Sequence, residues 1–132
     1  CSSDLTFSAA MSARLELAFS VVEQGRGFES TMENIYALVG TGTSTIESVP
    51  AAIAMVELAG TDPNRCAILC ANLGGDTDTI GAMAVAICGA LNGIDAIDPA
   101  LRQQLDSVNK LDFESYGRAF TAFRLKREAA HG

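Results

Sequence analysis

The sequence has no tryptophan, a single histidine and few aromatic residues, 6% in all. It is also short of basic residues: 9 Lys and Arg stand against 16 Asp and Glu, a net charge of −7. Each shortage closes a class of function. A phosphate backbone is gripped mainly by Lys and Arg, so the composition argues against a nucleic-acid partner. The one basic cluster, Arg118 to Arg127, is broken by Ala, Phe and Leu and reads as the solvated face of a last helix. With only His131, beside the C-terminus, a zinc site lacks partners, and so does a Cys–His nucleophile. No apolar run is long and unbroken enough to span a membrane, and no signal peptide is visible, so the default compartment is the cytoplasm. The chain starts at Cys1 rather than Met, which reads as a processed, cleaved or partial piece of something longer.

What is present points to helices. At 132 residues, 48% hydrophobic and 19% charged, the chain can bury a core as one globular unit. Alanine is abundant where aromatics are not, which suits close-packed helices better than stacked sheets. Apolar residues at Leu5, Ala9, Leu15, Ala18, Phe19 and Val22 space a helix face from Asp4 to Gln24, stopped by Gly25 and Gly27. A shorter helix is expected over Phe28 to Val39. The next runs to Ala59 and either starts near Ser48 or starts earlier and bends at Pro50. Asp62-Pro63 caps and opens a helix to about Leu73. Ile80 to Leu91 is almost wholly apolar or small, which predicts a helix buried on nearly all sides. Gly81 and Gly89 in it favour close backbone approach. After the Asn92-Gly93 turn, helices are expected over Pro99 to Val108 and Phe113 to Lys126. The fold class is all-α, over residues 1–132 as a single unit. Among Cys1, Cys66, Cys70 and Cys88, the pair at 66 and 70 shares a helix face. All four read as reduced thiols, buried in the core.

The chemistry concentrates in Gly74-Gly75-Asp76-Thr77-Asp78-Thr79. A helix N-terminus favours carboxylates, so one Asp is accounted for as a cap. Two close carboxylates repel and cost desolvation unless a cation offsets them. Oxygen ligands from Asp76, Asp78 and Thr79 suit Mg²⁺, Mn²⁺ or Ca²⁺ rather than zinc. An EF-hand loop counted from Asp76 fails, with Ile80 and Ile87 at its fifth and twelfth positions. No strand precedes the motif, as a phosphotransferase Asp-x-Asp requires. The Gly40-Thr41-Gly42 loop lacks both the third glycine of a dinucleotide fingerprint, where Thr45 stands, and the lysine of a Walker loop.

Taken together, Gly40-Thr41-Gly42, Glu47-Ser48-Val49-Pro50-Ala51-Ala52 and Asn72 to Ile80, with the small-residue helix after them, resemble the C-terminal part of the ADP-ribosylglycohydrolase family. The resemblance covers roughly Leu5 to Pro99 and is strongest from 40 to 93. It implies an all-α fold with two Mg²⁺ or Mn²⁺ ions in a cleft. Asp76, Asp78 and Thr79 are then metal ligands, with Asp78 bridging both ions. Thr41, Gly42 and Thr43 line the substrate pocket, their backbone amides facing ribose or phosphate. The implied activity is hydrolysis at the anomeric carbon of ADP-ribose, in ADP-ribosylated protein or small ADP-ribose conjugates. The family's further metal-ligand motifs and an important Glu lie in an N-terminal part and are not found here. The catalytic residues and the rest of the site are therefore expected in that missing part or on another chain. Glu29, Glu33, Glu47 and Glu57 read as surface or packing-edge charges. The alternative is a non-catalytic ADP-ribose-binding or structural relative of the same fold.

Overall fold

The structure, a computed structural model, describes residues 10–110 and 112–131. Among them every regular element is helical. The elements are α1 (Met11–Gln24), α2 (Phe28–Asn34), a π-helical turn (Ile35–Val39), α3 (Thr45–Leu58), α4 (Pro63–Ala71), α5 (Thr77–Asn92), a 3₁₀ turn (Ile94–Ala96), α6 (Pro99–Asn109) and α7 (Phe113–His131). The all-α expectation holds. Asp4, Leu5, Ala9 and Cys1 lie outside the described residues. The contacts divide the chain into two compact units, one running to Ile97 and the other starting at Asp98.

In the first unit α3 packs against α1 and α5, and α4 packs against α5. The core is built from small and branched side chains: Ala18 and Val21, Ile35 and Val39, Ala51, Ala54 and Met55, and Ile80 and Ala84. Cys66, Cys70 and Cys88 join it, all three as free thiols. The Sγ atoms of Cys66 and Cys70 stand 4.0 Å apart, one turn from each other on α4. The hydrogen bond with Cys70, together with burial, pushes the Cys66 thiol far up. Burial pushes Cys88 up to about 11. Cys66 and Cys88 are packing groups rather than nucleophiles, because a thiol held protonated is inert. The hydrogen bond with Cys66 lowers Cys70 instead, and that thiol is buried in the core.

The breakers act as their chemistry dictates. Asp62 accepts from the backbone N–H groups of Asn64 and Arg65, and Pro63 takes the first helical position. The Arg65 N–H comes first among the groups holding the Asp62 carboxyl below its ordinary value. Helix α3 takes the earlier of its two possible starts, at Thr45, and carries Pro50 inside it, buried in the core. Asn92 ties the end of α5 to the α3–α4 turn, its Nδ2 donating to the Thr61 carbonyl at 2.8 Å.

One expectation is corrected. Helix α5 is not buried on nearly all sides: its buried residues are Ile80, Ala84 and Cys88, spaced four apart on one face. Ala82, Ala86, Ala90 and Leu91 are exposed. Apolarity along a helix reports the capacity for burial, while burial itself needs a partner on each face. Gly81 meets Cys70 of α4, where a Cβ would stand 3.4 Å from the Cys70 Cβ, whereas Gly89 faces open space.

In the second unit α6 opens on Asp98-Pro99 with the same cap as α4. Helix α7 carries exposed i,i+4 ion pairs, Glu114 with Arg118 and Arg124 with Glu128. The basic cluster is a solvated face, as its broken pattern indicated.

Candidate functional site

The two sequence stretches singled out above meet in space. The loop from Gly40 to Ser44 leaves the π-helical turn, and the loop from Asn72 to Asp76 leaves α4. They join through one short hydrogen bond, the Asp76 amide donating to the Thr41 carbonyl at 2.7 Å. Thr41 is buried by this contact, 5% exposed.

Glycine is required in the Asn72–Asp76 loop at the junction. Gly75 sits at φ +75, and a Cβ there would fall 2.3 Å from both the carbonyl oxygen and the Oγ1 of Thr41. Gly74, at φ +85, lies beside the Tyr36 ring, 3.3 Å from where its Cβ would stand. No other residue type fits a left-handed backbone pressed against a neighbouring main chain. A cleft of about 680 Å³ opens ahead of the diglycine, with Phe28, Met32, Tyr36 and Leu73 in its wall together with the acids Glu29 and Glu33.

Asp76 stands at the N-cap of α5 but does not cap it. Its Oδ1 instead accepts from the Thr79 hydroxyl at 3.0 Å. Asp78 is in the first turn of α5, where the helix dipole favours a carboxylate, and is exposed, as is Thr79. The bland reading, an aspartate spent on helix capping, is thus removed for Asp76. Two carboxylates and a hydroxyl on adjacent positions form a hard-oxygen donor set, which fits Mg²⁺ or Mn²⁺ in type. They do not fill a coordination shell by themselves. Among the described residues no group of three or more His, Cys, Asp or Glu side chains is placed to hold a metal ion.

The 40–43 loop is clamped more tightly than its composition suggested. Arg14 Nη1 of α1 donates to the carbonyls of Leu38 and Val39, at 3.3 and 3.2 Å, just ahead of it. Glu47, in the first turn of α3, reaches back so that its Oε2 accepts from the Gly42 amide at 2.9 Å. The Gly42 amide, expected to face ribose or phosphate, therefore faces a carboxylate of its own chain. Thr43 is exposed one residue on. Glu47, read from the sequence as a surface or edge charge, is half-buried against the loop. The signal for it was available: a first-turn acid five residues after a glycine within a small-residue loop.

The ADP-ribosylglycohydrolase family profile matches residues 3–129. The uncharacterized protein YegU of Escherichia coli (strain K12) is 66% identical over 124 residues, covering 94% of this chain and 37% of that protein. ADP-ribosylhydrolase ARH3 of Homo sapiens is 32% identical over 121 residues, 83% of this chain and 32% of that protein. The Xenopus tropicalis protein of the same name is 37% identical over 97 residues, 66% of this chain and 27% of that protein. No solved structure matches. The chain spans about a third of the length of these relatives. With nearly its whole length matched and its two motif loops in contact, the chain belongs to the ADP-ribosylglycohydrolase family.

Proposed function

We propose that the protein containing this chain is a metal-dependent hydrolase that cleaves the glycosidic bond at the anomeric carbon of ADP-ribose. Its substrate is an ADP-ribosylated protein or a small ADP-ribose conjugate. The family and the ADP-ribosylhydrolases similar to this chain support that class. In this reading Asp76, Asp78 and Thr79 would hold two Mg²⁺ or Mn²⁺ ions, with Asp78 the residue that would be shared between them. Such ions, when bound, supply Lewis-acid binding of ribose hydroxyls and position water. Thr41, Gly42 and Thr43 form one wall of the substrate pocket. The remaining ligands and the catalytic groups come from a missing N-terminal part of the same protein or from another chain, and the reaction belongs to the cytoplasm.

The observation that carries the reading is the Asp76 carboxylate. It begins a helix without capping it, is turned to the Thr79 hydroxyl, and is tied through its amide to the loop of the proposed pocket. Thr79 orients Asp76, and the diglycine lets both loops approach one ligand.

The test uses the full-length protein and peptides carrying ADP-ribose on Arg or Ser. Free ADP-ribose should appear only with Mg²⁺ or Mn²⁺. Asp76→Ala and Asp78→Ala should each slow its release by at least about 100-fold, since even residues behind the ligands of a metal site are worth about 10–100-fold. Undiminished release in a chelator, or by either variant, would sink the proposal.

A further inference from the structure

We propose that Glu47 is a positioning residue for this site, setting the Thr41–Thr43 loop and, through the Thr41 carbonyl, the main chain of Asp76. The inference rests on the metal-site reading above and names a residue that reading does not use.

Four observations carry it. First, Glu47 Oε2 accepts the Gly42 amide at 2.9 Å, a charge-assisted bond across a five-residue turn. Second, the carboxylate fills the space where side chains would otherwise be. A Cβ on Gly40 would fall 2.8 Å from Glu47 Cγ, and one on Gly42 would fall 2.6 Å from Glu47 Oε2. The glycines of the loop are thus matched to this acid. Third, the residue between them, Thr41, presents its carbonyl to the Asp76 amide at 2.7 Å. The path from Glu47 to the first residue of the Asp-Thr-Asp-Thr stretch is two hydrogen bonds and one dipeptide long. Fourth, Glu47 is anchored on rigid scaffold. It lies in the first turn of α3, where its own amide and that of Ser48 donate to the Ser44 carbonyl at 2.9 Å. Helix α3 is also the one whose Ala51, Ala54 and Met55 are fully buried.

A carboxylate used only to stabilise a helix start would stay on its own helix amides. This one turns away from them to a loop whose other face holds Asp76. Such outer partners orient the groups that bind a metal without touching it.

The experiment uses the full-length protein and measures Mn²⁺ and ADP-ribose affinity by titration calorimetry, with folded fraction checked by circular dichroism. Wild type should bind Mn²⁺. Glu47→Ala should stay folded and bind Mn²⁺ about 10–100-fold more weakly. Glu47→Gln, which keeps an acceptor oxygen for the Gly42 amide, should restore affinity to within about threefold of wild type, where an outer partner's loss costs about tenfold or more. Gly42→Ala drives a Cβ against Oε2 and should reproduce the loss. It serves as the test variant if Glu47→Ala does not fold. Should wild type bind Mn²⁺ while these variants bind it equally well, Glu47 is a local brace and the positioning role is overturned. Should wild type bind neither Mn²⁺ nor ADP-ribose, the metal-site reading itself fails and takes this inference with it.

Discussion

Asp62, Asp76 and Asp98 each begin a helix in this chain, yet they behave differently. Asp62 and Asp98 accept from the amides two and three residues on, while Asp76 takes no such bond. The sequence marks all three as helix starts and cannot separate them, because capping depends on a backbone angle that the diglycine before Asp76 alters. Stability measurements can separate them. Asp62→Ala should lower the melting temperature, and Asp76→Ala should leave it nearly unchanged in metal-free buffer while removing metal binding. The Asp62 carboxyl sits below its ordinary value of 3.8, held down first by the Arg65 amide. Its contribution is therefore full above pH 3.8 and disappears as pH falls through the lower, folded value. Acid unfolding followed by circular dichroism should show Asp62→Asn losing less stability than wild type across that interval. Gly75 makes a second residue-scale prediction. At φ +75 and 2.3 Å from Thr41 oxygen atoms, Gly75→Ala should cost about 1–3 kcal/mol in chemical denaturation. It should also part the two loops and weaken metal binding. The diglycine was legible as a sharp turn. Glu47 was legible as a first-turn acid close after a glycine loop, but its reach to the Gly42 amide was not, since only the folded backbone sets the direction of that amide.

At the scale of elements, most helix limits were written in the punctuation: Gly25 and Gly27, Asp62-Pro63, Asn92-Gly93 and Asp98-Pro99 all mark observed ends or starts. The π-helical turn at Ile35–Val39 was not legible, because a wider turn keeps the same apolar residues inward at Ile35 and Val39. It matters, since it delivers the chain to Gly40, with Arg14 on its last carbonyls. The burial of α5 was overestimated for a similar reason. Its buried face is the stripe of Ile80, Ala84 and Cys88, and what would cover the opposite face is not encoded in its own residues. The α4–α5 contact yields an accessible check. Cys66, Cys70 and Cys88 are buried, and burial helps hold Cys66 and Cys88 protonated well above neutral pH. Iodoacetamide at pH 7.5 should leave them unmodified in the folded protein and alkylate them after denaturation. Rapid labelling of the native protein would mean that α4 and α5 are not packed this way.

On the scale of the whole molecule, the proposed reading gives this chain one part of a site, and the chain exposes large apolar side chains. Tyr36, Leu38, Ile68 and Leu91 are exposed on the first unit, and Tyr116, Phe120 and Phe123 on the second. Where such side chains form a contiguous patch, another segment or chain is expected to cover them. The 132-residue chain expressed alone should therefore self-associate in light scattering, and a sharp, monomeric unfolding transition would count against this. The family, the all-α class and the motif that meets at Thr41 and Asp76 were readable from residues 40–93. Further ligands for the proposed metal site were not, since among the described residues no carboxylate joins Asp76 and Asp78 in a metal-holding group. The most direct test of the central claim is calorimetric titration of Mn²⁺ into the full-length protein and into its Asp76→Ala and Asp78→Ala variants. The account predicts two bound ions in the wild type and loss of binding in both variants. Absence of binding in the wild type, or binding that survives both substitutions, would contradict it and leave the Asp-Thr-Asp-Thr stretch as the start of a helix alone.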